Sequence, residues 1–104
     1  MLVKESAIER ELRIAVWARG GVCEKVTVIG RRGFFDRLII LPGGRIIFCE
    51  IKRPRGGVVS PHQRQYHERF NALGVEVAVV RNSEDISALL KQQGPGAGER
   101  PAPI

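Results

Sequence analysis

Apolar residues at Ile8, Leu12, Ala15 and Val16 recur about one helical turn apart in ESAIERELRIAVWA, and Gly20-Gly21 ends the run, which predicts a first helix over residues 5–18. The next segment, VCEKVTVI (22–29), alternates weakly and is rich in β-branched residues, so it reads as a strand leading into the Gly-flanked basic loop GRRG. Residues 35–41 and 45–52 read as two further strands joined by Pro42-Gly43-Gly44, a turn composition that makes them a hairpin. Both are apolar at nearly every position, which predicts a sheet covered on both faces. Ser60 caps a second helix with Pro61 at its first turn, running to about Leu73 and stopped by Gly74. VEVAVV (75–80) reads as a buried strand, and Ser83 as the cap of a last short helix that opens with Glu84 and Asp85. The order αβββαβα, a hairpin plus one crossover through a helix, predicts an α/β fold with a mixed central sheet flanked by helices. From residue 93 on, QGPGAGERPAPI is rich in Pro and Gly and is expected to be a disordered tail behind a single domain of residues 1–92.

A chain of 104 residues with 43% hydrophobic and 27% charged residues supports one modest core, so charged side chains inside it need a reason. Lys and Arg exceed Asp and Glu by 17 to 11, giving a net charge of +6, and the excess is mostly Arg. That balance suits a polyanionic partner. Cys23 and Cys49 stand in strand-like stretches without metal-ligand spacing and are expected to be free thiols in a reducing compartment. With no secretory leader and no apolar run near the roughly 20 residues that span a bilayer, the cytosol is the expected location and no membrane contact is expected.

The candidate chemistry lies in the hairpin. If its loop is residues 42–44, Leu41 faces Arg45, and counting outward sets Asp36 opposite Glu50, with Lys52 two residues further on the same face. Opposed residues have Cβ atoms about 4.5–5.5 Å apart, so the two carboxylates repel unless a cation such as Mg²⁺ stands between them. Glu9 falls on the apolar stripe of the first helix and is aimed inward; Glu5, one turn earlier on that face, is the alternative. Gln63 has two readings: the last member of an S-x-x-Q capping box, or a side chain turned toward the sheet with Tyr66 and Phe70. His62 and His67, five apart, share no helix face and are expected at the surface. An inward helix acid, an Asp opening one strand and Glu-x-Lys closing the other suit phosphodiester hydrolysis. Carboxylates hold a metal that polarises phosphate and activates water, and a lysine stabilises developing charge. Lys25, Arg31, Arg32, Arg53 and Arg55 stand at or near strand ends, where they can grip DNA phosphates.

Taken together, G-x-x-D-R-L-x-x-L-P-G-G-R-x-x-F-x-E-x-K-R-P-x-G, then S-x-x-Q, then L-G-V-x-V-x-V-V-R-N-S-E-D, closely resembles the stand-alone VRR-NUC domains of the PD-(D/E)XK nuclease superfamily over about residues 4–92. The resemblance implies a restriction-endonuclease-like core, a divalent metal (Mg²⁺, or Mn²⁺) and cleavage of branched DNA, in small members resembling homodimeric Holliday junction resolvases of phages and bacteria. Carried over by position, Asp36, Glu50 and Lys52 match the catalytic signature, with Glu9 the acid of the first helix and Gln63 the glutamine of the second. Asp36, Glu50 and Glu9 would be the metal ligands. The chain departs from the pattern at Phe35, where the family usually has proline. A homodimer is expected because resolving a four-way junction takes two symmetric incisions, and Trp17, off the main stripe of the first helix, is the candidate contributor to its interface. The alternatives are a non-catalytic binding module on the same core and a flap or nicking nuclease.

Overall fold

Helix α1 (Glu5–Ala18) forms over the range its apolar stripe predicts, and Ile8, Leu12 and Val16 are its buried residues. The computed structural model describes residues 4–91, so the expected tail and the outer residues of the 1–92 domain lie outside the described residues. Four strands follow in one sheet with two more helices: β1 (Val22–Lys25), β2 (Arg37–Leu41), β3 (Arg45–Ile51), α2 (Pro61–Ala72), β4 (Glu76–Val80) and α3 (Ser83–Lys91). The sheet order is β1-β2-β3-β4. β1, β2 and β3 run antiparallel as a meander, and α2 carries the chain over to β4, which lies parallel to β3. This is the mixed α/β architecture expected from the sequence.

The hairpin has the anticipated register, from Leu41 opposite Arg45 to Arg37 opposite Cys49. Gly43 and Gly44 both take positive φ, 96° and 78°, a backbone state that other residues rarely adopt, and the turn closes with the Gly44 amide donating to the Leu41 carbonyl at 3.1 Å. β1 is shorter than its sequence suggests. Val26 to Ile29 have strand propensity, but the partner strand starts only at Arg37, so after Lys25 pairs with Arg37 there is little left to pair with. One bond continues the ladder, from the Val26 amide to the Asp36 carbonyl at 3.2 Å, and Ile29 ends up 97% exposed. The loop returns through Gly33, where φ is 77° and a Cβ would stand 2.5 Å from the Cβ of His62. A side chain there would push the basic loop off α2.

One sheet face is fully covered. Ile8, Leu12 and Val16 of α1 and Ile86, Leu89 and Leu90 of α3 pack on Ile39, Leu41, Ile47, Cys49, Ile51 and Val80. On the other face α2 lays Tyr66 and Phe70 over Phe34, Phe35 and Phe48 in a cluster of edge-to-face and tilted rings. The expectation of a sheet covered on both faces fails at this point. α2 is 12 residues long and leaves the cross-strand row Val22, Ile40 and Ile46 at 46%, 37% and 47% exposure.

Two local details also differ from the sequence reading. α3 is capped by Asn82, whose side-chain oxygen accepts from the Asp85 amide at 2.8 Å, while the expected cap, Ser83, donates its hydroxyl to Glu11 of α1. Arg45, beside the hairpin turn, is 5% exposed; its Nε donates to Glu76 Oε1 at 2.9 Å and its Nη1 to the Leu89 carbonyl at 2.7 Å, tying β3 to β4 and α3. Among the described residues no helix is long and apolar enough to cross a membrane. Both cysteines are free thiols, Cys49 in the core and Cys23 half-buried.

Candidate active site

The strand pair β2/β3 ends in a way that turns Asp36 into a fixed point. Beyond Arg37 the ladder slips, the Asp36 amide donating to the Cys49 carbonyl at 3.0 Å, and the Asp36 carboxylate itself accepts from the Ile51 amide at 2.8 Å. Its Oδ2 is thereby held against the end of β3, beside the side chain of Glu50.

Glu50 is 1% exposed, an extreme position for a carboxylate. Burial is the largest influence on it, followed by the hydrogen bond and the charge of Asp36; against the opposing pull of Lys52 they raise its pKa from an ordinary 4.5 to about 8. Oε2 accepts from Gln63 Nε2 at 2.8 Å and lies 4.0 Å from Lys52 Nζ. Oε1 has no hydrogen-bond partner and faces His67 Nε2, likewise buried and unpartnered, at 3.6 Å. Lys52 shares the face of Glu50 as the strand period requires.

Gln63 satisfies both of its sequence readings at once. Its Oε1 accepts from the Ser60 amide at 2.9 Å, completing the capping box, while its Nε2 remains available for Glu50. The amide is bifunctional, and helix start and carboxylate are fixed by one residue.

Glu9 behaves differently. Successive strand residues face opposite ways, so Arg37 points to the α1 side, where its Nε meets Glu9 Oε2 at 2.7 Å. Glu9, Glu5, Lys25, Arg31 and Asp36 nevertheless line one cleft of about 340 Å³ at the sheet end. The charge of Glu5 is also among those that raise Glu50. Among the described residues no three carboxylate, imidazole or thiolate groups converge on one point. The structure brings Asp36 and Glu50 together and holds Glu9 across the cleft on Arg37.

Sequence reasoning missed two participants. Arg37 was legible as the residue after Asp36, facing the helix that carries an inward acid. His67, expected at the surface, is instead half-buried, its ring stacked on Phe35 at 4.9 Å between centroids and 9° between planes. Burial, and secondarily the charge of Lys52, lower its pKa. The spacing to His62 gave the wrong comparison: His67 is four residues after Gln63, on the same helix face. Phe35, where the resemblance leads to an expected proline, is 1% exposed and packs within the aromatic cluster.

Lys25 ends β1, and Arg31, Arg32, Arg53 and Arg55 lie in the loops after β1 and β3. Arg31, Arg32, Arg53, Arg55 and Lys25 are exposed. Arg31 joins the cleft at the sheet end to a second one of about 670 Å³, where it lines the wall with Arg32, His62, Tyr66 and Arg69.

The carboxylates at the sheet end suit a hard divalent cation: Glu50 is buried with one oxygen that lacks a hydrogen-bond partner, and the proximity of Asp36 is unfavourable without an intervening charge. Two carboxylates are enough for Mg²⁺, which keeps several waters.

No family model matches the chain. It is 44% identical over 89 residues to "Putative nuclease p44" of Acyrthosiphon pisum secondary endosymbiont phage 1, a match covering 86% of this chain and 94% of that protein. Among solved structures it is similar to a "VRR_NUC domain" with a TM-score of 0.80 and 34% identity, covering 85% of this chain and 95% of the other. High coverage of both partners, with the fold described above, places the chain in the VRR-NUC family of nucleases.

Proposed function

We propose that the protein is a divalent-metal-dependent endonuclease that hydrolyses phosphodiester bonds in branched DNA, four-way junctions foremost, and acts as a homodimer. The observation that carries the reading is the Asp36/Glu50 pair, a buried carboxylate brought beside a second one, Asp36, which lines a cleft with Lys25 and Arg31. Asp36 and Glu50 would hold Mg²⁺ or Mn²⁺, with Glu9 a third ligand if it leaves Arg37, and the ion would supply Lewis-acid polarisation of the phosphate and an acidified water. Lys52 places a fixed positive charge beside the scissile position, where it favours the charge that develops on the phosphate oxygens. Gln63 orients the Glu50 carboxylate through its 2.8 Å bond. Arg31, Arg32, Arg53 and Arg55 grip the flanking phosphates. A cleavage assay on a four-way junction beside linear duplex, with Mg²⁺ and with chelator, tests the reading. Metal-dependent cutting that favours the junction is expected, and equal cutting of both substrates would leave a flap or nicking nuclease.

The arginines at the start of the loop after β3 act through charge. Replacing Arg53 and Arg55 together by Ala is expected to weaken binding to every DNA shape and to reduce the slope of log K against log salt by about 1.8, two phosphate contacts at about 0.9 each. Fluorescence anisotropy across a salt series reads this out. An unchanged slope with lost junction preference would make the pair readers of shape.

Support for the homodimer comes from the apolar surface around β1, an edge strand. Trp17 is 79% exposed and Ile14 57%; with Val22 they line a groove of about 600 Å³, and Val22 begins the uncovered row through Ile40 and Ile46. Large apolar side chains exposed together at a sheet edge suit an interface. Sedimentation at micromolar concentration is expected to give twice the chain mass. Trp17→Ala is expected to weaken self-association about 30-fold, the loss typical of a central aromatic anchor. A wild-type monomer, with and without junction DNA, would remove the two-incision version of the function.

A further inference from the structure

Two atoms in the interior lack partners and face each other. Glu50 Oε1 and His67 Nε2 are both buried, neither has a hydrogen bond, and they stand 3.6 Å apart. We propose that His67 is a positioning residue for Glu50, forming with Gln63 a clamp from one face of α2 that holds both oxygens of the carboxylate. The inference rests on the reading of Asp36 and Glu50 as the metal-holding pair, and assigns a role to a side chain which that reading does not use.

The geometry of the helix makes the clamp. Gln63 and His67 are one turn apart on α2, so their side chains reach the same strip of sheet. Gln63 Nε2 takes Oε2 at 2.8 Å, and His67 is left with Oε1. When Glu50 is ionised, as metal holding requires, its carboxylate only accepts, and an imidazole hydrogen on Nε2 is the donor that faces Oε1. Closing 3.6 Å to a hydrogen bond takes a shift of about half an ångström or a little more. The ring is not free to turn away, because it lies flat on Phe35, 4.9 Å between centroids. Phe35 in turn precedes Asp36, so the same stack ties the positions of both carboxylates. Buried side chains that orient metal-holding carboxylates in this way typically account for about 10-fold to 100-fold in metal affinity.

The test uses the full chain and two variants. His67→Phe keeps a flat ring on Phe35 and removes the nitrogen, whereas His67→Gln gives up the stack and keeps an N–H donor. Mn²⁺ binding by calorimetry is expected to weaken about 10-fold or more in His67→Phe and to return to within about 3-fold of wild type in His67→Gln, with melting temperatures of the metal-free proteins compared as the control for folding. Wild-type affinity in His67→Phe would overturn the clamp. Equal losses in both variants would also overturn it, pointing to direct ligation by the imidazole. A nitrogen NMR spectrum of the metal-free protein separates the clamp from the metal reading. A His67 Nε2–H signal that moves on Glu50→Ala, in a protein that takes up no Mn²⁺, would keep the clamp and discard the metal; ring signals indifferent to Glu50→Ala would overturn the clamp itself.

Discussion

Asp36→Asn and Glu50→Gln are each expected to lower the single-turnover rate of junction cleavage by about 10³-fold or more while leaving junction binding within a few-fold of wild type. The loss follows from the role given to the pair: removing one of two carboxylates withdraws the charge that holds the metal, and its cost falls on the transition state. Binding survives because Arg31, Arg32, Arg53 and Arg55 belong to loops that neither substitution touches. Folding survives as well, since Asn and Gln keep the shape of the acids they replace and an amide oxygen can still accept from the Ile51 amide at position 36 or from Gln63 at position 50. Either variant cleaving within a few-fold of wild type would move the chemistry away from this pair.

Glu50→Gln is also expected to make the metal-free protein more stable than wild type at pH 8 but not at pH 4. Burial foremost, then the hydrogen bond with and charge of Asp36, raise the Glu50 carboxyl from 4.5 to about 8. Between those values the folded protein keeps a proton that the unfolded chain has released. Stability therefore falls as pH rises through this window, by at most about 1.4 kcal/mol per pH unit, and this group contributes no further change above pH 8. Glutamine has the shape without the titration, so its urea midpoint should lose that slope. Saturating Mg²⁺ should recover stability for wild type at pH 8, because the ion binds only the folded state, and should do little for the variant. Parallel pH profiles for the two proteins would show that Glu50 is not held under strain by its surroundings.

Where local chemistry had one solution, the sequence was a good guide. The three-residue Pro-Gly-Gly loop set the register from Leu41 opposite Arg45 to Arg37 opposite Cys49, and with it Lys52 on the face of Glu50. The expected opposition of Asp36 and Glu50 gives way to a slipped ladder, in which the Asp36 amide meets the Cys49 carbonyl and its carboxylate turns onto the Ile51 amide. The capping box at Ser60 was equally legible. What could not be read depends on tertiary neighbours. Val26–Ile29 have the composition of a strand, but a strand needs a partner, and β2 begins too late to give one. Asn82 and Ser83 are both good caps, and the choice between them followed from Ser83 reaching Glu11 on another helix. Glu9 was rightly read as inward, yet inward from α1 means toward Arg37, on the opposite face of the sheet from Glu50. His67 was misjudged because exposure was inferred from its spacing to the other histidine, when its environment is set by Phe35 and Glu50. Apolar strands on both faces did not ensure cover for both, and the surplus around Val22, Ile40 and Ile46 is where the proposed second protomer would dock.

The central claim is that Asp36 and Glu50 hold a divalent ion, and anomalous scattering from crystals soaked in Mn²⁺ tests it most directly. The account predicts one strong anomalous peak in contact with carboxylate oxygens of both Asp36 and Glu50, present in wild type and lost in Asp36→Asn. A peak confined to other residues, or no peak at a Mn²⁺ concentration that supports cleavage, would contradict it.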